Sequence, residues 1–165
     1  MSQEMIVHQS APMVPYKDME RMAAVIAQSG LFGVKNQTQA LALMLLAQAE
    51  GMHPATAARD YHVIQGKPSL KADTMLARFQ AAGGKVDWSE YTDTAVAGTF
   101  SHPSGGKVKI EWTMEMARKA NLAGKDLWKQ YPRAMLRARV ISEGIRTVFP
   151  GVLAGMYTPE EVRDM

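Results

Sequence analysis

KVDWSEYTDTAVAGTFSHPSGGKVKIEW, residues 85–112, decides the fold. Three segments of β character, Lys85 to Tyr91, Thr94 to His102 and Lys107 to Trp112, are separated by Thr92-Asp93-Thr94 and by His102-Pro103-Ser104-Gly105-Gly106. Both links carry hairpin turn chemistry, so the stretch predicts an antiparallel meander. Its third segment alternates Val108, Ile110 and Trp112 with Lys107, Lys109 and Glu111, which predicts one buried face and one wet, partly basic face.

Upstream of the meander the period is helical. Met19, Met22, Ala23 and Ile26 recur at i, i+3, i+4 and i+7, predicting a helix that starts at Lys17 or Asp18 and stops at Ser29-Gly30. Asn36 reads as the N-cap of a helix to about Ala49, stopped by Gly51 and Pro54. That helix is apolar nearly all round and belongs in a core or against another subunit. Tyr61 to Ile64 reads as a strand, Gln65-Gly66-Lys67-Pro68 as a turn, and Ser69 as the cap of a helix from about Leu70 to Ala82, closed by Gly83-Gly84.

Downstream, Thr113 caps a short helix from Met114 to about Ala120, and Pro132 opens a long one to Phe149, stopped by Pro150-Gly151. The expected class is α+β, an antiparallel sheet packed against helices that include a late basic one. The expected organisation is a flexible arm over residues 1–15, one core domain over 16–158, and at 159–165 the start of a truncated C-terminal region, because Thr158-Pro159-Glu160-Glu161 opens a helix that is soon cut off.

Composition narrows the function. The 165 residues are 47% hydrophobic and 21% charged, the profile of a chain that folds. Cysteine is absent, which excludes disulfides, thiolate-held zinc and thiol nucleophiles and fits a reducing, cytoplasmic compartment. The N-terminus does not read as a signal peptide, and the longest apolar run, Ala40 to Ala47, is far short of the ~20 residues a membrane helix needs. Charge is unevenly placed. Residues 1–60 hold four Lys/Arg against five acids, whereas Arg118 to Arg146 holds eight against Asp126 and Glu143, a local net of +6. Concentrated positive charge is the footprint of polyanion binding, and also of a solvated helix face.

Catalytic signatures fail one by one. No phosphate-binding loop, H-E-x-x-H or deaminase motif is present, and Ser104-Gly105-Gly106-Lys107 is too short a glycine run. Asp87, Asp93 and Glu111 are the candidates for a small metal-dependent nuclease, but their alternation places them in solvent. His8, His53, His62 and His102 lack ligand spacing. The reading is a non-enzyme with no cofactor and no metal site.

The basic run is what remains. Arg133 and Arg137 share one helix face, Arg139 and Arg146 another, with Ala134, Ile141, Ile145 and Val148 as the packing stripe between them. Guanidinium forks suit phosphate oxygens. Lys125, Trp128, Lys129 and Tyr131 interleave cations with aromatics, the mixture that holds single strands; Trp128 and Tyr131 also read as hydrophobic anchors fixing a loop to the core, and for Trp128 the anchor is the better reading. The expected phosphate contacts are Arg133, Arg137 and Arg139, with Lys67, Lys71, Lys107, Lys109, Lys125 and Lys129 secondary. An alternative class is a protein-interaction module using the apolar helix from Thr38 to Ala49.

Three motifs resemble a family. Tyr61-His62-Val63-Ile64-Gln65-Gly66-Lys67-Pro68-Ser69-Leu70 before a helix and Gly83-Gly84, the upstream Glu50-Gly51-Met52-His53-Pro54, and Trp128-Lys129-Gln130-Tyr131-Pro132-Arg133-Ala134-Met135-Leu136-Arg137-Ala138-Arg139 together resemble the RecT-type single-strand annealing proteins of bacteriophages. The resemblance spans about residues 36–158. It implies ATP-independent annealing of complementary strands in phage-type recombination in a bacterial host's cytoplasm, with single-stranded DNA and the annealed duplex as ligands. It further implies homo-oligomeric rings or helical filaments, DNA in a groove across subunits, and contact with a host single-strand-binding protein through the C-terminal region.

Overall fold

The computed structural model describes residues 11–153 and 155–165. They form eight α-helices and two small antiparallel sheets, an α+β architecture. Contacts divide the chain into one unit ending at Tyr61 and another beginning at His62.

In the first unit, α1 (Tyr16–Ser29) buries Met19 and Ala23 against α2 (Gln37–Ala49), which buries Ala40, Leu43, Met44 and Ala47. Gly30 ends α1 at φ 66°, the left-handed conformation glycine adopts without cost. Asn36 caps α2 by accepting from the Gln39 N–H at 3.1 Å. Of the expected arm, residues 1–10 lie outside the described residues, and residues 11–15 are tied to the end of α2. Ala11 donates to the Gly51 carbonyl at 3.0 Å, and Val14 exchanges two hydrogen bonds with the Gln48 amide. A short helix α3 (Ala57–Asp60) leads into β1 (Tyr61–Ile64).

The second unit begins with the hairpin of β1 and β2 (Lys67–Leu70). Its turn is Gln65-Gly66 alone, both at positive φ, as tight two-residue hairpins require; Lys67 and Pro68 belong to the strand. Ser69 is not a helix cap. It is buried in the hairpin with Oγ donating to the His62 carbonyl at 3.1 Å, and α4 (Ala72–Ala81) starts after Lys71 without a side-chain cap. Leu70, predicted as the first helical residue, is instead held in β2, where its N–H donates to the Tyr157 carbonyl at 3.0 Å.

The meander forms as β3 (Lys85–Tyr91), β4 (Ala95–His102) and β5 (Gly106–Thr113), paired in chain order. Val86, Trp88, Val96, Gly98, Phe100, Ile110 and Trp112 share one face, which α7 (Pro132–Val148) covers along β4 and β5. Phe100 and Phe79 of α4 lie 6.1 Å apart at the centre of this core. Gly144 makes the approach of α7 possible, since any Cβ there would enter the Phe100 ring. The opposite face carries Lys85, Asp87, Glu90, Lys107, Lys109 and Glu111, all exposed.

Register slips once, between Trp88 and Glu90. Trp88 stands opposite Gly98 and Glu90 opposite Ala97, so Ser89 is an extra residue in β3, a β-bulge. Tyr91, opposite Val96, therefore lies on the same face as Trp88 although the two are three positions apart. Helices α5 (Met114–Lys119), α6 (Asp126–Gln130) and α8 (Pro159–Asp164) complete the unit. Thr113 caps α5, accepting from the Met116 N–H at 3.2 Å. The sequence predicts a loop where α6 forms, and α6 buries Trp128 completely.

Candidate nucleic-acid interface

Helix α7 orders the arginines, and each guanidinium lies over an aromatic ring: Arg133 over Tyr91 at 5.0 Å, Arg137 over Trp88 at 5.8 Å, Arg139 over Trp112 at 5.4 Å and Arg146 over Tyr157 at 4.5 Å. Such contacts hold a cation at about 0.5–1 kcal/mol each when exposed and more when desolvated. The bulge at Ser89 creates the first two, because plain alternation would send Trp88 and Tyr91 to opposite faces.

Each arginine also faces a carboxylate, and burial separates the four into two kinds. Asp93 and Asp73, the partners of Arg133 and Arg137, are 72% and 82% exposed. Ion pairs of that kind contribute about 0–1 kcal/mol, so a phosphate competes with them on equal terms. Asp164 and Glu161, the partners of Arg139 and Arg146, are 5% and 8% exposed. Asp164 also accepts from Lys125 at 3.1 Å and Trp128 Nε1 at 3.2 Å, joining α6, α7 and α8. Glu161 accepts from Ser142 at 2.7 Å and completes a capping box with Thr158. Arg139 and Lys125, 18% and 44% exposed, are thus each held by the buried Asp164 carboxylate, with the Arg139 Nε–H left without a partner among the described residues. Trp128, sealed in the core, is an anchor and not a stacking platform.

Ala134 departs from the packing stripe expected of it. It is exposed and, with Arg137 and Ala138, floors a groove of about 650 Å³. The walls are His62 of β1, Lys71, Ala72 and Asp73 at the start of α4, Tyr91 of β3, and Pro159, Glu160 and Arg163 of α8. Lys71 and Arg163 are exposed, and among the described residues neither has a carboxylate within ion-pair distance. The His62 imidazole is held below its ordinary pKa, first by burial, then by Lys71 and Arg163, with Glu160 opposing.

Of the nine cations singled out in the sequence, Arg133, Arg137 and Lys71 stand at this groove or its rim. Lys107 and Lys109 lie on the sheet face away from α7, and Lys67 and Lys129 are exposed without lining the groove. Sequence reasoning missed Arg163, His62, Trp88 and Tyr91 as members of the site. Arg163 carried a signal, since Thr158-Pro159-Glu160-Glu161 marks a helix start whose next turn contains it.

Among the described residues no three His, Asp or Glu are grouped to hold a metal ion. Asp87 and Glu111 lie on the outer sheet face, and Asp93 sits in the β3–β4 turn beside Arg133. No helix among the described residues is long and apolar enough to cross a membrane. No family model, no characterised protein and no solved structure matches this chain.

Proposed function

We propose that this chain binds single-stranded DNA by its phosphates and, as an oligomer, anneals complementary strands without ATP, as the resemblance to RecT-type proteins implies. The observation that carries the reading is the pair Arg133, exposed, and Arg137, half-buried. They lie one helical turn apart, each laid on an aromatic ring, each held by a solvent-exposed carboxylate, at the edge of a groove with two further unpaired cations. Phosphates would replace Asp73 and Asp93, and Trp88 and Tyr91, 39% and 52% exposed, would offer their rings to bases. Phosphate pairing leaves Watson–Crick edges open to a second strand. Alignment by neighbouring subunits then substitutes for chemistry.

The test is fluorescence anisotropy with labelled oligonucleotides of mixed sequence across a salt series. Arg133→Ala and Arg137→Ala should each weaken binding equally for every sequence and lower the salt slope by about 0.7, the value for one single-strand phosphate contact. Unchanged affinity and slope in both would sink the reading. A parallel incubation of labelled strand with Mg²⁺ or Mn²⁺ separates annealing from nuclease action, because only a nuclease shortens the label. Electron microscopy with two complementary oligonucleotides added in succession tests assembly and duplex product together.

A further inference from the structure

We propose that Lys71, Arg163 and His62 form a subsite for a single phosphodiester group, and that the arriving anion draws a proton onto His62. The inference rests on the strand-binding reading for its ligand but on different residues for its site.

Three observations carry it. First, the groove places Lys71, Arg137 and Arg163 against only Asp73 and Glu160, and Asp73 is already engaged by Arg137 at 2.7 Å. Lys71 and Arg163 are left as cations without an ion-pair partner among the described residues. Second, the three residues come from separate elements of one unit: β1, the entry to α4, and α8. Their convergence is a product of the fold, with β2 fastened to the lead-in of α8 by the Leu70 to Tyr157 hydrogen bond. Third, His62 is fixed through its backbone, whose carbonyl accepts from Ser69, while neither ring nitrogen has a hydrogen-bond partner among the described residues. Both nitrogens remain available to a ligand oxygen.

The charges around His62 set the direction of the proton linkage. Lys71 from the α4 entry and Arg163 from α8 repel a proton on the ring; Glu160 of α8 attracts one. Arg137 of α7, Asp73 of α4 and Tyr91 of β3 line the same groove, the first two largely cancelling each other. In the empty groove burial and the two cations prevail, and the imidazole is neutral at neutral pH. A phosphodiester between Lys71 and Arg163 screens both and supplies a negative charge of its own. The balance reverses, His62 takes a proton from solvent, and its N–H becomes a third charged donor to the phosphate. Binding should tighten as pH falls, by about tenfold for each unit by which the anion raises the His62 pKa.

The experiment follows the His62 ring proton resonance of the full chain by NMR from about pH 5.5 to 8, with three samples. One is the protein alone, one contains sulfate, whose charge is fixed over that range, and one contains oligothymidylate with a 5′-hydroxyl, which has no terminal phosphate and no base titrating there. A pKa raised by both anions is the expected result. A rise with the oligonucleotide alone also supports the subsite and restricts it to strand phosphates. A rise with sulfate alone overturns the phosphodiester assignment, because the strand then leaves the groove empty. A pKa unmoved by either overturns the inference, and anisotropy on the same samples shows whether the α7 arginines still hold the strand. Lys71→Gln and Arg163→Gln provide a control within folded protein. Each should raise the pKa of His62 in the empty groove and shrink the rise caused by anions.

Discussion

Arg133 and Arg139 come from one basic run, six residues apart, yet their surroundings give them different work. Arg139 is 18% exposed and locked to Asp164, whereas Arg133 is 50% exposed beside an aspartate in open solvent. Asp164→Ala should therefore cost about 2–3 kcal/mol in urea unfolding, since it strands Arg139, Lys125 and the Trp128 N–H together, while Asp93→Ala should leave the midpoint within experimental error. A glycine makes the complementary case. Gly to Ala inside a helix is ordinarily stabilising by about 1 kcal/mol, but at Gly144 the added methyl enters the Phe100 ring, and Gly144→Ala should destabilise by about 1–3 kcal/mol in the same assay. The sequence identifies the arginines as a class but does not divide them, because what divides them is the burial of acidic partners 25 and 15 residues further along the chain.

At the scale of elements, features with local causes were legible. The meander follows from alternation and turn residues, the long late helix from Pro132 and Pro150-Gly151, and the caps at Asn36 and Thr113 from their hydroxyl or amide preceding an apolar run. Misreadings arise where a distant partner decides. Ser69 has the residue type of a cap, but a strand hydrogen bond from Leu70 to Tyr157 keeps the chain extended past it. Ala134 has the spacing of a core residue, but the face of α7 that carries it opens onto a groove. Helix α8 shows how a local signal and a distant one combine. Thr158→Ala removes the capping box and should cost about 1 kcal/mol, and amide exchange should quicken across Pro159–Asp164 before it does in α7.

For the molecule as a whole, the proposed subsite predicts that pH acts on stability and on binding in opposite directions. His62 is held below its unfolded pKa, so its contribution to stability is present above the unfolded value and lost as pH falls through the folded one. Without an anion, the difference in urea midpoint between wild type and His62→Gln should move against wild type as the pH drops from about 7.5 to 5.5; with oligothymidylate present the sign should reverse. A salt series belongs beside it, because screening weakens the exposed pairs at Asp73 and Asp93 far more than the buried ones at Asp164 and Glu161.

Ser89 gives β3 a spare residue. Losing one residue from the middle of a strand ordinarily turns every later side chain inside out. In β3 it would do the reverse, since Trp88, Glu90 and Tyr91 without Ser89 alternate as an unbroken strand with both rings still on the α7 face. A chain shortened at this one point is expected to fold, and to differ mainly in the twist that sets the interval between its two rings. The distance from one exposed ring to the next can thus be changed by a single codon, with no ring or charge exchanged.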